Sequence, residues 1–305
     1  MMNSIDLIIK SYDFLHNRKW ISPYFFTPFR RIVRYIANRK LPHLLMKDNN
    51  SVNKSTSNII VSLTSFPARI NNVHLVIRCL FRQTILPQKI ILWLSEEQFE
   101  GVTIPFSLET LKNDIFEIRF VEGDIRSHKK YAYVLNEYTS NRVLIVDDDI
   151  YYPSDMIEKM EEMANKYPED IICRYGSLMH YDGNKPKPYN SWWWEISDEC
   201  HDSNFFFGSG GGLLLKKSML YQDALNIEVA LQLTPLADDI WLNAMVNLQG
   251  TKKHKTKCGL LLPIEEQQQT TLTQENVGNN MNDIQFDNII NYYKSVILIN
   301  PFREF

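Results

Sequence analysis

Residues 142–149 read RVLIVDDD, and the reading of this stretch decides the fold. Arg142–Val146 is a short apolar run, suited to a strand buried on both faces. Three carboxylates follow at once, Asp147, Asp148 and Asp149. They do not belong in a core, so they stand beyond the carboxyl end of the strand, where open α/β sheets bind ligands. Three adjacent anions repel one another, and their full ionisation needs a counter-cation. A hard divalent ion with oxygen ligands, Mg²⁺ or Mn²⁺, shared with a diphosphate, meets that need. In an extended segment Asp147 and Asp149 would offer one carboxylate to a ribose hydroxyl and one to the metal. The structural alternative is an acidic turn that caps the next helix.

Working outward, the periodicity predicts a helix from about His128 to Tyr138 and another over Asp155–Tyr167. Apolar runs at 58–63 (NIIVSL), 89–95 (KIILWLS) and 116–121 read as strands, and Val73, Val76, Ile77 and Leu80 set a helix over 72–83. Strands that alternate with helices imply βαβ units, hence an α/β class with a mainly parallel sheet flanked by helices. Residues 48–58 (DNNSVNKSTSN) are polar and aperiodic and read as a linker. No internal repeat is visible, and the only low-complexity tract is Gln267-Gln268-Gln269.

Further along, Phe205–Leu215 (FFFGSGGGLLL) holds glycines at 208, 210, 211 and 212. Such density lets backbone approach a ligand closely, but the pattern is neither a P-loop nor GxGxxG after a strand. A floor beneath a sugar, followed by an apolar strand, fits better. Asp238-Asp239 open a helical pattern carried by Leu236, Ile240, Trp241 and Ala244. The pair reads either as a helix cap or as a general base beside a substrate hydroxyl. Trp192-Trp193-Trp194 cannot all face one core, so one of them lines a cleft or anchors a loop. Lys129 and Lys130 near a helix N-terminus oppose the macrodipole, which points to an offsetting anion; a diphosphate in the cleft would serve.

With 44% hydrophobic and 23% charged residues over 305 positions, the chain is neither disordered nor fibrous. Four scattered cysteines without a CxxC pair argue for a reducing compartment and against a zinc or disulfide framework. The apolar runs are too short to span a bilayer, and the N-terminus lacks a secretory signal pattern, so the expectation is a soluble cytoplasmic protein. The formal charge of −3 calls for no nucleic acid, but it conceals a split. Residues 1–40 carry eight Lys or Arg against Asp6 and Asp13, a surplus of six, while the remainder has 25 basic against 34 acidic residues. Phe29, Ile32, Val33 and Ile36 fall at helical spacing among Arg30, Arg31, Arg34 and Arg39. A basic amphipathic helix of this kind suits an anionic membrane surface, through residues 4–40, or a helix packed on the body with solvated arginines.

Taken in order, VSLTSFPARI (61–70), RCLFRQTILPQKIILWLS (78–95), SHKKYAYVL (127–135), VDDDIYY (146–152), GSGGGLLL (208–215) and LADDIWL (236–242) resemble GT-A-fold glycosyltransferases. The resemblance is to a bacterial group that builds capsule, lipopolysaccharide or other surface glycans, and it runs over about 58–290, where NNMNDIQFDNII (279–290) matches its terminal segment. It implies a GT-A, Rossmann-like single catalytic domain over 58–275, with a helical N-terminal extension and linker at 1–57 and a helical tail at 276–305. It implies a nucleotide-sugar donor, a UDP-sugar, with Mn²⁺ or Mg²⁺. Thr64, Ser65, Phe66 and Arg69 would meet the base and ribose, and Lys129 and Lys130 the nucleotide or diphosphate. Asp147 and Asp148 would join the donor site, with Asp149 and Asp147 holding the metal. Asp239, with Asp238 in reserve, would be the base that deprotonates the acceptor, although many related enzymes have ED here rather than DD. His254, among lysines in KKHKTK, corresponds to an extra metal ligand of some GT-A enzymes, and its lysine neighbours disfavour that role. The implied reaction is inverting transfer to a glycan or lipid-linked acceptor, at the inner face of the cell membrane.

Three other readings of the same residues compete. A sugar-nucleotide nucleotidyltransferase shares the fold class, but would carry a Gly-rich signature where Thr64-Ser65-Phe66-Pro67 stand. A non-catalytic glycan- or membrane-binding protein would have no need of intact Asp147, Asp149 and Asp239. A haloacid-dehalogenase-type phosphatase wants a small hydroxyl residue where Tyr151 stands.

Overall fold

The computed structural model describes residues 3–17, 21–22, 24–48, 54–183, 185–192, 196–265 and 281–303. Trp193, Trp194, the glutamines 267–269 and the expected boundary at 275/276 lie outside them. The central element is a seven-stranded sheet. Its strands are β1 (Ile59–Thr64), β2 (Lys89–Ser95), β3 (Phe116–Val121), β4 (Arg142–Ile145), β5 (Ile171–Cys173), β6 (Leu213–Leu215) and β7 (Lys253–Lys255). They lie in the order β7-β5-β6-β4-β1-β2-β3. The pairs β1–β2, β2–β3, β1–β4 and β5–β7 are parallel, and β6 alone runs antiparallel to both its neighbours. The α/β class and the mainly parallel sheet are therefore as expected.

Period-two alternation splits the core between the two faces of the sheet. Val61, Leu63, Ile90, Leu92, Leu144, Val146 and Leu214 pack on one side with helices α1 (Ser4–Phe14), α2 (Thr27–Lys47), α3 (Val73–Phe81) and α5 (Met156–Lys166). Ile60, Ile91, Trp93, Val143, Ile145, Leu213 and Leu215 pack on the other with α4 (Lys129–Glu137), α6 (Ile227–Leu233), α7 (Asp238–Gln249) and α8 (Met281–Ile297). Trp192 is buried among Tyr189, Phe206 and Phe286, so this member of the tryptophan run is core.

The N-terminal helices share the body's core rather than standing apart from it. Ile5, Ile9, Ala37, Leu41 and Leu45 are buried within the first layer. Buried Arg82 pairs with Asp6 at 3.1 Å and with Asp48 at 2.5 Å. Asp13 accepts from the Leu260 amide at 2.9 Å. The linker expected at 48–58 is docked where it is described: Ser57 N–H donates to Leu86 O at 2.8 Å, and Thr56 bridges Leu86. Polarity misleads there because backbone pairing along a strand edge needs no apolar side chain.

Two features of this topology position the site. The chain winds outward from β1 through β2 to β3, then returns to place β4 on the other flank of β1. The strand order thus reverses between β1 and β4, and crevices at such points, beyond the carboxyl ends of the strands, bind ligands. Because β6 is antiparallel, with Leu213 opposite Ile145, the residues before Leu213 lie at the same rim as those after Ile145.

Candidate active site

The end of β1 and the start of α4 are tied by Ser62, whose hydroxyl donates to Lys130 O at 2.6 Å. This bond fixes the first turn of α4 against the sheet and brings the Lys130 ammonium under the cleft. Three oxygens surround it: Asp147 Oδ1 at 2.8 Å, Asp238 Oδ2 at 3.0 Å and Ser209 Oγ at 3.2 Å. An ammonium has three N–H bonds, so three acceptors satisfy it. Burial opposes the charge on Lys130, but Asp147, Asp238 and Asp239 outweigh it and push its pKa above the ordinary lysine value. Lys130 therefore stays cationic, and the offsetting anion expected near it is protein carboxylate. Lys129 turns elsewhere and pairs with Asp124.

The three acids after β4 divide their tasks. Asp147 N–H donates to Tyr152 Oη at 2.8 Å and to Gly210 O at 3.2 Å, and the Tyr152 hydroxyl donates to Gly210 O. The loop after β4 and the glycine segment before β6 are thus joined through backbone. A Cβ at Gly210 would stand 1.6 Å from Asp147 Oδ2, so only glycine fits there. The Asp147 side chain is 36% exposed, against 6% for Asp148 and 11% for Asp149, so it is the member that opens to the cleft. Asp148 accepts from Ser65 Oγ at 2.5 Å and from Arg69 Nη1 at 2.8 Å, and the same Nη1 lies 3.2 Å from Asp149 Oδ2. Burial pushes the Asp149 carboxyl up to about 7, with repulsion from Asp147 and Asp148 added and Arg69 only partly compensating. Burial also raises Asp148.

Ser65 and Arg69 from the β1 end, expected to meet a base and ribose, are bonded here to the acids after β4. The Arg69 guanidinium lies 5.4 Å above the Phe66 ring, and Thr64 Oγ1 donates to Trp93 O at 2.8 Å. The expected set therefore falls into two linked groups. One holds Ser65, Phe66, Arg69, Asp148 and Asp149; the other holds Lys130, Asp147, Asp238 and Asp239.

Asp238 and Asp239 do open a helix, and both also accept from Ser209 in the glycine segment. Asp238 Oδ2 accepts from Ser209 Oγ at 2.7 Å, and Asp239 Oδ1 accepts from the Ser209 amide at 2.7 Å. Burial raises Asp238, but Lys130, His128 and the Ser209 hydroxyl outweigh it and hold its pKa below the usual carboxylate value. Asp239 moves the other way. Burial and the Asp238 charge push it up to about 7. It is only partly exposed to solvent. Beneath them His128 is fully buried between Tyr131 Oη and Thr234 O, both at 2.8 Å. A carbonyl can only accept, so Nε2 carries the proton, and burial lowers the imidazole pKa.

Ser209 is the residue that sequence reasoning missed. Its amide and hydroxyl join both acids of α7 to Lys130, and the only signal was its place inside the glycine run. His254 lies on β7, three strands from β4, or about 14 Å at ordinary strand spacing. There it contacts Asp170 at 2.9 Å and stacks on Tyr167, so it is remote from the acids.

Among the described residues, no three His, Cys, Asp or Glu side chains already converge as a complete metal cage. The charge and donor chemistry nonetheless suit a hard cation. Five carboxylates share two cations, Lys130 and Arg69. Ions such as Mg²⁺ take one or two carboxylates and complete their shell with water and substrate phosphate.

No family model matches the chain, and no curated protein matches it. Solved structures do. Over 77% of this chain, residues 1–349 of S. aureus TarS in complex with UDP align at 12% identity and a TM-score of 0.43, covering 66% of that chain. A longer TarS structure from S. aureus aligns over 79% of this chain at 12% identity and TM-score 0.44, covering 44% of that chain. The 4-diphosphocytidyl-2C-methyl-D-erythritol synthase of Anaerococcus prevotii aligns over 76% of this chain and 96% of its own, at 14% identity and TM-score 0.43. The chain thus spans just under two thirds of the shorter TarS chain. At these identities and scores, what the site does must be read from its own side chains.

Proposed function

We propose that the chain is a GT-A-type glycosyltransferase. It uses a nucleotide-sugar donor, a UDP-sugar, with Mn²⁺ or Mg²⁺, and acts on a hydroxyl of a glycan or lipid-linked acceptor in surface-polysaccharide synthesis at the cytoplasmic face of the membrane. One observation carries the reading: a donor-type acidic cluster and a base-type carboxylate pair meet at one switch-point crevice, around Lys130 and the glycine floor. Ser65, Phe66 and Arg69 border the crevice at the β1 end and suit the nucleoside. A divalent ion held by Asp149 and Asp147 would neutralise charge on the departing diphosphate.

The two acids of α7 are not equivalent as bases. Asp238 is committed to Lys130 and Ser209 and has a depressed pKa, so it is a poor proton acceptor. Asp239, at about 7, is matched to proton transfer at neutral pH. In the proposed step the acceptor oxygen bonds to the anomeric carbon and the bond from that carbon to the diphosphate breaks. The hydroxyl proton passes to Asp239, and the nucleoside diphosphate leaves. Attack and departure on opposite sides of one carbon invert its configuration. Lys130 stays charged throughout and fixes Asp147 relative to Asp238, so donor and base keep their spacing.

The test is release of UDP or GDP from a panel of nucleotide sugars by the full chain, with Mn²⁺, Mg²⁺ or EDTA. Slow metal-dependent hydrolysis is expected. No turnover together with no metal-dependent UDP or GDP binding would overturn the proposal, and full activity in Asp149→Asn would remove Asp149 from the metal.

A further inference from the structure

Helix α2 has one face in the core and one in solvent, and the solvent face is the unusual one. On the inner side Ala37, Leu41 and Leu45 are buried, Arg34 pairs with Glu265 at 2.9 Å, and Asn38 donates to Pro263 O at 3.1 Å. On the outer side Phe29, Ile32 and Ile36 are 51%, 56% and 40% exposed. Phe25, in the turn before the helix, is 57% exposed, and its ring packs 6.3 Å from that of Phe29. Spacings of four, three and four residues align the four side chains in one ridge. Isolated exposed apolar residues are normal on a protein surface, but a continuous ridge marks an interaction site.

The surroundings of the ridge say what it meets. Exposed Arg31, Arg39 and Lys40 flank it, and the exposed rings of Tyr24 and Tyr35 lie beside it. No acidic residue occurs between Phe14 and Lys47, although the chain past residue 40 has nine more acidic than basic residues. A second copy docked on this face about a two-fold axis would set arginine against arginine. An anionic bilayer instead offers phosphate to the cations, acyl chain to the ridge, and an interfacial layer to the tyrosines. No described helix is long and apolar enough to cross a membrane, so the geometry is one of lying on the surface.

We propose that α2 docks flat on an anionic lipid bilayer. Phe25, Phe29, Ile32 and Ile36 enter the headgroup–acyl boundary, and Arg31, Arg39 and Lys40 contact lipid phosphates. The helix has 21 residues and is about 30 Å long, and the contact residues from Phe25 to Lys40 span about 23 Å along that axis. Its inner-face Asn38 lies 3.5 Å from the hydroxyl of Tyr151, two residues past Asp149, which ties the docked helix to the rim of the cleft. The inference does not depend on the transferase reading, because vesicle binding is measured without any sugar nucleotide.

The experiment is co-sedimentation of the full chain with sucrose-loaded vesicles of phosphatidylcholine, pure or with 40% phosphatidylglycerol. Binding to the anionic vesicles, weak binding to the neutral ones, and release by high salt are expected. Each cation near an anionic surface changes partition roughly fivefold, so R31Q/R39Q/K40Q should weaken binding on the order of a hundredfold. F29S/I32S should weaken it at least tenfold, with circular dichroism showing a retained fold. If that variant misfolds, the charge variant, altered only at exposed positions, decides alone. Absence of binding by the wild-type chain, or equal binding by the charge variant, overturns the proposal. So does light scattering that shows a dimer converted to monomer by F29S/I32S without any vesicle binding, since the ridge would then join two copies.

Discussion

Replacing Asp239 by Asn should abolish activity and at the same time stabilise the protein. Asn keeps an Oδ1 that can accept from the Ser209 amide, which now bonds Asp239 at 2.7 Å, so the local geometry has no reason to move. What changes is the charge. The Asp239 carboxyl is raised from 3.8 to about 7, by burial first and by Asp238 second. Between pH ~4 and ~7 the folded chain keeps a proton that the unfolded chain has released. The stability linked to that proton is full below pH ~4 and is lost as pH rises through about 7. Three pH units at about 1.36 kcal/mol each would give ~4 kcal/mol. Solvent access and relaxation reduce this to about 1–3 kcal/mol. The variant avoids the loss, so at pH 8 its melting temperature should exceed the wild type's by about 3–6 °C. At pH 4.5 the two should nearly coincide. Differential scanning calorimetry across pH 4–9 measures the gap, and donor turnover measures the chemistry, which should fall 10²–10⁴-fold for loss of a general base. Parallel melting curves at every pH would refute the electrostatic reasoning, and retained turnover would refute the role of Asp239 as base.

Other substitutions probe the rest of the site and its support. In the wild type, kcat/KM should rise about tenfold per pH unit up to about 7 and then level, as Asp239 loses its proton; a pH–rate profile checks this. Gly210→Ala drives a methyl into Asp147, and overpacking of this kind costs about 1–3 kcal/mol. Donor affinity should fall sharply, as read by titration calorimetry with UDP and Mn²⁺. Lys130→Met leaves Asp147 and Asp238 facing each other without their cation; urea unfolding at pH 7.5 should show a loss of about 3–5 kcal/mol, reduced below pH 5 as carboxylates protonate. Arg82→Leu strands buried Asp6 and half-buried Asp48 and should cost about as much, with limited proteolysis showing earlier cleavage within the first 48 residues.

The elements legible in the sequence are those whose physics is local. Strands β1, β2 and β4 are buried on both faces and read as largely apolar runs, β3 at the sheet edge alternates instead, and the expected bounds of all four fall within a residue or so of those found. The acids after β4 were legible because a buried strand cannot hold them. Strand β7 was hidden: Lys253, His254 and Lys255 look like surface, yet all three are buried. Lys255 is satisfied by the carbonyls of Thr256 and Cys258, each at 2.8 Å, a solution no local pattern announces. The bridge of Lys130, Ser209 and Asp238 was hidden for the same reason, since it joins residues 79 and 108 positions apart. Which lysine would serve the cleft was also undetermined by sequence. Both Lys129 and Lys130 open the helix, and only the tether from Ser62 turns Lys130 inward.

The reversed strand β6 bears on how such a site can diversify. Asp147 hangs from β4, and Gly210 and Ser209 hang from β6, with Leu213 locked opposite Ile145. The spacing of Asp147 from Ser209 and Gly210 is therefore set by a sheet ladder. The segment that connects β5 to β6, with its short hairpin at Tyr181–Asp182 and Lys185–Pro186, can gain or lose residues without shifting a carboxylate. Under the proposed transferase function, insertions there would alter acceptor preference while leaving the ladder between β4 and β6 as inherited.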